Sequence, residues 1–241
     1  MKALKIGNNI SSFSKYSCKP KSRDELIEII YERISKEGQS CDLNDIDTSL
    51  ITDMSYLFTQ SKFNGNISDW NVSNVKDMMG MFYESVFNGD ISNWDTSNVT
   101  DMWGMFYGSK FNTDISKWDV ECVKDMKNMF AYSKFTGNIS KWDVSNVIDM
   151  SYMFSNSEFN GDISNWNTSN VIDMSKMFAS SKFNQDISKW NTSNVKYMTR
   201  MFKYAVFDQD ISNWNIRKDC NTECMFLDCH IQEEHKPKVL Q

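Results

Sequence analysis

Hydrophobic residues recur along this chain at a fixed interval of 24 positions. Counted from a tryptophan as offset zero, the unit carries Val at offset 5, Met at offset 8, a Met-Phe pair at offsets 11 and 12, Phe at offset 17 and Ile at offset 21. A period of this length is typical of proteins whose units stack on one another. The tryptophans that mark the period are Trp70, Trp94, Trp118, Trp142, Trp166, Trp190 and Trp214.

The spacing inside each unit differs from that of a regular helix or strand. Apolar residues occupy offsets 2, 5, 8 and 11, three positions apart, whereas a strand repeats every two positions and a helix about every 3.6. A coil that turns corners satisfies this spacing. We predict strand-like pieces around residues 90–92 and 99–102 and a short helical turn around residues 104–107. Glycines at offset 19, such as Gly89, predict a corner with positive φ, and asparagines at offset 4, such as Asn146, predict a ladder of amide hydrogen bonds between coils.

The pattern predicts a repeat solenoid, right-handed and leucine-rich-repeat-like, with short parallel β-strands and short helical turns in about eight coils. Residues 46–229 form the solenoid. Residues 1–45 form an N-terminal segment with a capping helix, because Ser22 and Glu25 make a capping box before an apolar helical stripe that ends at Gly38. Residues 230–241 form a C-terminal tail.

Residues 159–178 show the repeat clearly, with Phe159, Asn160, Gly161, Trp166, Val171, Met174, Met177 and Phe178. Units of this kind resemble the repeats of BspA-like leucine-rich-repeat surface proteins of bacteria, over about residues 45–226. The resemblance implies a leucine-rich-repeat-like solenoid that binds proteins, often host molecules, at the cell surface. It implies no catalytic residues.

Composition narrows the classes of partner. The 26 Lys and Arg residues are outnumbered by 32 Asp and Glu, a formal net charge of -6, so we expect no general nucleic-acid binding. The sequence contains no apolar run of 18 residues, so we expect no membrane insertion. The first ten residues lack a secretory signal pattern, and six cysteines are too few for a disulfide scaffold. These features predict a cytoplasmic location, and the family resemblance offers the cell surface as the alternative.

Two sets of residues suggest metal sites, and each set also has a simpler structural explanation. Aspartates at offsets 7 and 20, such as Asp125 and Asp162, suggest calcium between coils, but capping of turns explains them better. Three cysteines and a histidine suggest a zinc site, but packing in the last coil explains them better. We predict no metal, no cofactor and no enzymatic activity, because the repeats contain no histidine and no phosphate-binding loop. The candidate zinc ligands are Cys220, Cys224, Cys229 and His230.

Positions that vary between units are the candidates for partner binding. Trp103 stands where other units place Ser or Thr, so the core does not require its indole. Tyr, Trp, Met and Arg are enriched in protein interfaces, and later units place Lys176, Arg200, Lys203 and Tyr204 at variable offsets. The predicted partner-binding residues are Met79, Tyr83, Trp103, Tyr107, Tyr132 and Tyr152.

The leading functional hypothesis is a non-enzymatic protein-binding solenoid that recognises a protein partner, adhesin-like by resemblance. One alternative is an intracellular or phage-encoded inhibitor that docks on a bacterial effector and blocks a nucleic-acid channel with its acidic residues. A second alternative is a structural spacer made rigid by calcium.

Overall fold

Backbone pairing in this protein joins positions 24 residues apart. The computed structural model describes residues 16–241. In that part of the chain each unit lies directly against the next, so the chain is a repeat protein with the period that the sequence predicts. Parallel bridges at offset 7 connect, in order, Asp53, Asp77, Asp101, Asp125, Asp149, Asp173, Tyr197 and Asn221.

The described residues contain one α-helix, α1, which spans Arg23–Glu37. Its N-cap is Ser22, whose hydroxyl accepts a hydrogen bond from the Glu25 backbone N–H at 3.2 Å. The Glu25 carboxylate accepts in return from the backbone N–H of Lys21 at 2.7 Å. The predicted capping box is therefore present, with its return bond one residue earlier than the usual pattern.

The helix packs against the first unit of the stack. Leu26 and Ile30 on α1 are buried in the same hydrophobic core as Ile46. The Arg23 Nε donates to the Ser55 carbonyl at 2.7 Å. Burial of one face of α1 therefore covers the end of the stack, as a capping helix does. Residues 1–15 of the predicted N-terminal segment lie outside the described residues.

The opposite end of the stack is covered by the C-terminal residues. Two short 3-10 helices span Glu233–His235 and Lys238–Leu240. Ile231 is buried, and the His235 Nδ1 lies 3.0 Å from an Asp208 carboxylate oxygen. The last residues therefore pack on the final units.

The core consists of columns of identical side chains. Trp142 is 4% exposed and Phe154 is fully buried, as predicted. Phe130 and Phe154 stack with their ring centroids 5.8 Å apart. The Trp142 indole N–H donates to the Ile115 carbonyl at 3.1 Å, so the one polar atom of this large buried side chain has a partner.

Each unit contains a turn segment, which spans residues 128–132 in the unit of Trp118. The backbone N–H groups of this segment donate alternately to the next unit and to their own unit. The N–H groups of Asn128, Phe130 and Tyr132 donate to carbonyls 23 residues ahead, in the next unit, at 3.0, 2.9 and 2.8 Å. Between them, Met129 and Ala131 donate three residues back within their own turn, both at 3.1 Å. The turn segment is therefore fully hydrogen-bonded without being a helix.

The predicted helical turn at residues 104–107 is wrong for this reason. Gly104 and Phe106 donate to Lys127 and Met129 of the next unit, so no α-helical bond to the fourth residue back can form. The predicted strand at residues 90–92 is absent, because these residues make no bridge. The predicted strand at residues 99–102 is reduced to a single bridge at Asp101, because the turn that follows ends the pairing.

The glycines at offset 19 have a different role from the predicted one. None of them has a positive φ. A Cβ added to Gly89 would lie 2.8 Å from the Phe87 ring, and one added to Gly137 would lie 2.7 Å from the Phe135 ring. These glycines therefore allow the phenylalanine two residues earlier to lie close to the backbone.

The asparagine ladder at offset 4 is confirmed. The Asn146 side-chain amide donates to the Glu121 carbonyl at 2.9 Å, and the Asn170 amide donates to the Ser145 carbonyl at 2.7 Å. Each amide satisfies a carbonyl of the preceding unit, so this column links neighbouring coils.

We expect Phe154→Ala to lower the free energy of unfolding by about 3–5 kcal/mol, because it removes a fully buried ring and leaves a cavity between stacked phenylalanines. Denaturant unfolding measures the change. The control is Ile148→Ala, whose side chain is 46% exposed and whose loss we expect to cost less than about 1 kcal/mol. Equal stability of the two variants would contradict the assignment of the buried face.

Candidate binding groove

A groove of about 430 Å³ follows the stack along the turn segments. It has an aromatic half, lined by Tyr83, Trp103, Tyr107, Tyr132 and Tyr152. It also has a cationic half, lined by Lys176, Arg200, Lys203 and Tyr204. Five of the six predicted binding residues therefore lie together in the aromatic half. The sixth, Met79, does not line the groove, and its sulfur accepts a hydrogen bond from the Tyr56 hydroxyl at 3.1 Å.

Rings of the aromatic half stack on one another. Tyr83 lies nearly parallel to Tyr107, with centroids 4.4 Å apart, and nearly parallel to Trp103 at 6.3 Å. Trp103 is half-buried, so its indole has neighbours although it lies outside the core. Burial, followed by the neighbouring Tyr83 and Tyr132, raises the pKa of Tyr107 to about 12. Its hydroxyl therefore stays protonated and can donate a hydrogen bond at neutral pH.

The cations of the other half lie over aromatic rings or near a single carboxylate. The Lys176 Nζ lies 4.8 Å from the centre of the Tyr152 ring, and the Lys203 Nζ lies 4.6 Å from that of Tyr204. Arg200 Nη2 is 3.9 Å from a carboxylate oxygen of Glu223. The Arg200 Nε is buried without a hydrogen-bond partner among the described residues.

Many groove residues have a left-handed backbone conformation. At offset 10, Asn128, Tyr152, Lys176 and Arg200 have φ of 60, 60, 54 and 57°. At offset 14 the same holds for Tyr132, Asn156, Ser180 and Tyr204, with φ of 57, 55, 55 and 60°. A side chain in this region costs about 1–2 kcal/mol, and glycine avoids the cost. Three such positions in the earlier units do hold glycine, namely Gly80, Gly104 and Gly108.

The donors described above hold this conformation in place. Each left-handed residue of the groove donates its backbone N–H to the next unit, as Tyr132 does to Ser155 at 2.8 Å. The same conformation recurs outside the groove, at Tyr56, Gln60 and Glu84, so it belongs to the repeat as a whole. Within the groove, five large side chains stand at positions where the backbone alone would favour glycine, namely Tyr132, Tyr152, Lys176, Arg200 and Tyr204.

Family comparison agrees with the repeat architecture. One family profile, described as "Mycoplasma protein of unknown function, DUF285", matches residues 28–139 and again residues 131–237. The chain belongs to the DUF285 family. No match was found among curated proteins or solved structures. The DUF285 description assigns no activity.

The aspartate columns of this DUF285 protein cap turns, as predicted. Asp125 accepts from the Lys127 backbone N–H at 2.8 Å, and Asp162 accepts from that of Ser164 at 2.9 Å. Burial, with smaller contributions from Asp149 and Asp101, raises the pKa of Asp125 to about 6. The exposed Asp114 behaves in the opposite way, because hydrogen bonds from the Ser116 backbone and hydroxyl lower its pKa.

The candidate metal ligands are not grouped. Among residues 16–241, no three His, Cys, Asp or Glu side chains are arranged to hold a metal ion. Cys229 instead lies with its sulfur 3.4 Å from the Phe207 carbonyl. Burial raises the pKa of Cys220 to about 11, which opposes the thiolate form that zinc requires.

No helix in the described part of the chain has both the length and the apolar character needed to cross a lipid bilayer.

We expect Ser180→Gly to raise the free energy of unfolding by about 0.5–1 kcal/mol, since glycine relieves an exposed left-handed residue with φ of 55°. The control is Ser193→Gly, where φ is not positive and glycine only adds flexibility to the unfolded chain. We expect the control to lose about 0.5–1 kcal/mol in the same urea titration. A loss of stability in both variants would contradict the strain argument.

Asp125 contributes to the pH dependence of stability. Because its pKa is raised from 3.8 to about 6 on folding, its contribution is fully present below about pH 4 and is lost as pH rises through 6. We expect Asp125→Asn to be about 1 kcal/mol more stable than the wild type at pH 7, after allowance for solvent screening. Asparagine keeps the cap acceptor, as Asn221 does for the Glu223 N–H at 3.0 Å.

Urea unfolding between pH 4 and pH 7 measures this effect. The control is Asp114→Asn, which we expect to be less stable than the wild type by an amount that does not change between pH 4 and pH 7, because the pKa of Asp114 is lowered on folding and its contribution is lost only below that range. A gap between the Asp125→Asn variant and the wild type that does not change with pH would contradict the assignment.

Proposed function

We propose that this DUF285 protein is a non-enzymatic protein-binding repeat protein and that the groove is its recognition surface. The observation that carries the proposal is that large side chains from six successive units line one groove, five of them held at positive φ. A fold that needed only stability would favour glycine or asparagine there. The retained Tyr, Lys and Arg side chains therefore indicate selection for contact with another molecule.

The chemistry of the groove supports a protein as that molecule. Tyr, Trp and Arg dominate the residues that contribute most to protein–protein affinity, and the groove contains Trp103 and Arg200 together with five tyrosines. Neighbouring rings that stack before binding lose little conformational freedom on association, which reduces the entropic cost. The regular stack supplies a rigid support for these varied side chains.

The proposal also includes the handedness of the solenoid and the location of the protein in the cell. The stacked coils and the resemblance to BspA-like proteins support a right-handed, leucine-rich-repeat-like solenoid. The six cysteines are all free thiols, which supports a reducing, cytoplasmic location. The resemblance alone supports the alternative of a cell-surface protein that binds host molecules.

The inhibitor and calcium-spacer alternatives receive less support. An inhibitor that occupied a nucleic-acid channel would present exposed carboxylates. The offset-7 aspartates are half-buried and accept hydrogen bonds from their own turns, as Asp149 does from the Ser151 backbone N–H at 2.7 Å. The offset-20 aspartates, such as Asp162, are exposed but also accept such bonds, so one column alone supports the inhibitor alternative. A calcium spacer needs six or more converging oxygens per ion, and the same capping bonds already engage these carboxylates.

The test uses the double variant Trp103→Ser with Tyr107→Ala in the full chain. Affinity capture from the cells that make the protein, read by mass spectrometry, identifies partners of the wild type. We expect the variant to bind a captured partner about 30-fold more weakly, a loss of about 2 kcal/mol or more, if these rings are interface hot spots.

The matched control is Tyr31→Ala with Tyr197→Ala, which removes two exposed tyrosines outside the groove. We expect it to bind as the wild type does. Circular dichroism shows whether each variant remains folded. Unchanged affinity of a folded Trp103→Ser, Tyr107→Ala variant would remove the aromatic half from the binding surface.

A further inference from the structure

The cationic half of the groove is a positively charged patch on an acidic protein. The chain as a whole has a formal net charge of -6. The residues that line the groove nevertheless include Lys176, Arg200 and Lys203 and no Asp or Glu. Among the described residues neither lysine forms an ion pair, and Arg200 reaches only Glu223 at 3.9 Å. A ligand that carries negative charge would therefore gain electrostatic energy at this half of the groove.

Arg200 shows the clearest lack of a partner. Its Nε is buried, yet it makes no hydrogen bond with any described residue, whereas buried donors are almost always paired. Its backbone is also strained, with φ of 57°. A guanidinium binds a carboxylate through two parallel N–H donors, one of which is often Nε. The Arg200 side chain as a whole is 40% exposed, so a carboxylate can reach its guanidinium, although not Nε in this conformation.

The arrangement of the aromatic half favours the side chains of a peptide over nucleobases as ligands. Tyr83 lies nearly parallel to both Tyr107 and Trp103, so these rings turn faces toward one another. Lys176 covers one face of Tyr152. Nucleobases bind proteins by stacking on open ring faces. Aromatic rings that carry a polar hydroxyl or N–H group also suit the apolar side chains and backbone of a peptide.

The length of the groove fits an extended peptide. Five coil steps separate the unit of Tyr83 from that of Arg200, which is about 24 Å if coils stack at the usual spacing of hydrogen-bonded strands, about 4.8 Å. An extended chain rises about 3.3 Å per residue. About seven peptide residues would therefore span both halves.

We propose that the groove binds an extended acidic segment of about seven residues in a partner protein. Carboxylates of the segment pair with Arg200, Lys176 and Lys203, and an apolar or aromatic side chain lies against Tyr83, Trp103 and Tyr107. This inference rests on the proposed protein-binding function and adds the chemistry of the ligand to it.

The experiment selects binders from a library of random seven-residue peptides displayed on phage, with the full chain immobilised. A synthetic, fluorescein-labelled copy of the strongest binder is then titrated in an anisotropy assay. We expect the selected peptides to be rich in Asp and Glu at one end and apolar at the other. Arg200→Gln with Lys203→Gln should weaken the synthetic peptide by about tenfold or more, since two charge-assisted hydrogen bonds are lost.

The matched control is Lys141→Gln with Lys189→Gln, which removes two exposed cations outside the groove. We expect its affinity to lie within about twofold of the wild type. Added heparin and added oligothymidine serve as competitors from other classes of polyanion. One outcome would overturn the acidic-peptide inference. In it, heparin or oligothymidine binds more strongly than any selected peptide, and the Arg200→Gln, Lys203→Gln variant loses that competitor binding.

Two further outcomes separate this inference from the proposed function. Selected peptides that are neutral or basic and lose affinity in the Trp103→Ser, Tyr107→Ala variant would overturn the acidic-peptide inference and leave the binding groove intact. Selected peptides that bind all three double variants equally well would contradict both.

Discussion

The alternating hydrogen bonds of the turn segment are the interaction on which the rest of this structure depends. Every second backbone N–H there, as in Asn128, Phe130 and Tyr132, donates to a carbonyl of the next unit. The intervening N–H groups close tight turns within their own unit. This arrangement aligns identical offsets of neighbouring units, and the alignment brings like side chains together in the core, as in the stack of Phe130 on Phe154. An insertion within one unit would break the register of all these columns.

The same alternation produces the groove. Alternate backbone N–H groups donate to the next unit and to the third residue back in their own unit. Because of this alternation, residues at offsets 10 and 14 adopt the left-handed conformation in each regular unit. Their side chains emerge on one surface and form neighbouring rows. Glycine occupies these rows in the early units, whereas Tyr152, Lys176, Arg200 and Tyr204 occupy them later. The backbone geometry is thus constant, and the chemistry of the surface is decided by which side chain each unit places there.

Much of the core and part of the groove follow from the sequence alone. Columns such as those of Trp142 and Phe154 recur in every unit, so their burial follows from the period. The asparagine ladder and the capping aspartates follow because Asn and Asp bond to nearby backbone. The turn conformation did not follow, because hydrophobic spacing shows which side chains are buried and not where the N–H groups point. Helical turns and turns with alternating φ place apolar residues on the same side.

The cationic half of the groove was only partly predicted. The sequence places Lys176, Arg200 and Lys203 at variable offsets, but the predicted partner-binding residues do not include them. The structure shows that they line one surface with the tyrosines, and Lys176 and Arg200 do so from a left-handed backbone. A usable signal was present in the offset-10 column, where Gly80 and Gly104 are followed by Asn128, since glycine and asparagine share a preference for positive φ.

Amide hydrogen exchange measured by NMR tests the central claim most directly, because it reports the hydrogen bond of each N–H separately. The account predicts that the amides of Asn128, Phe130, Tyr132 and Tyr152 exchange only through global unfolding, although Tyr132 is 55% exposed. Exchange of these amides at the rate of an unstructured chain would contradict the pairing between units and, with it, the left-handed turn positions that form the groove.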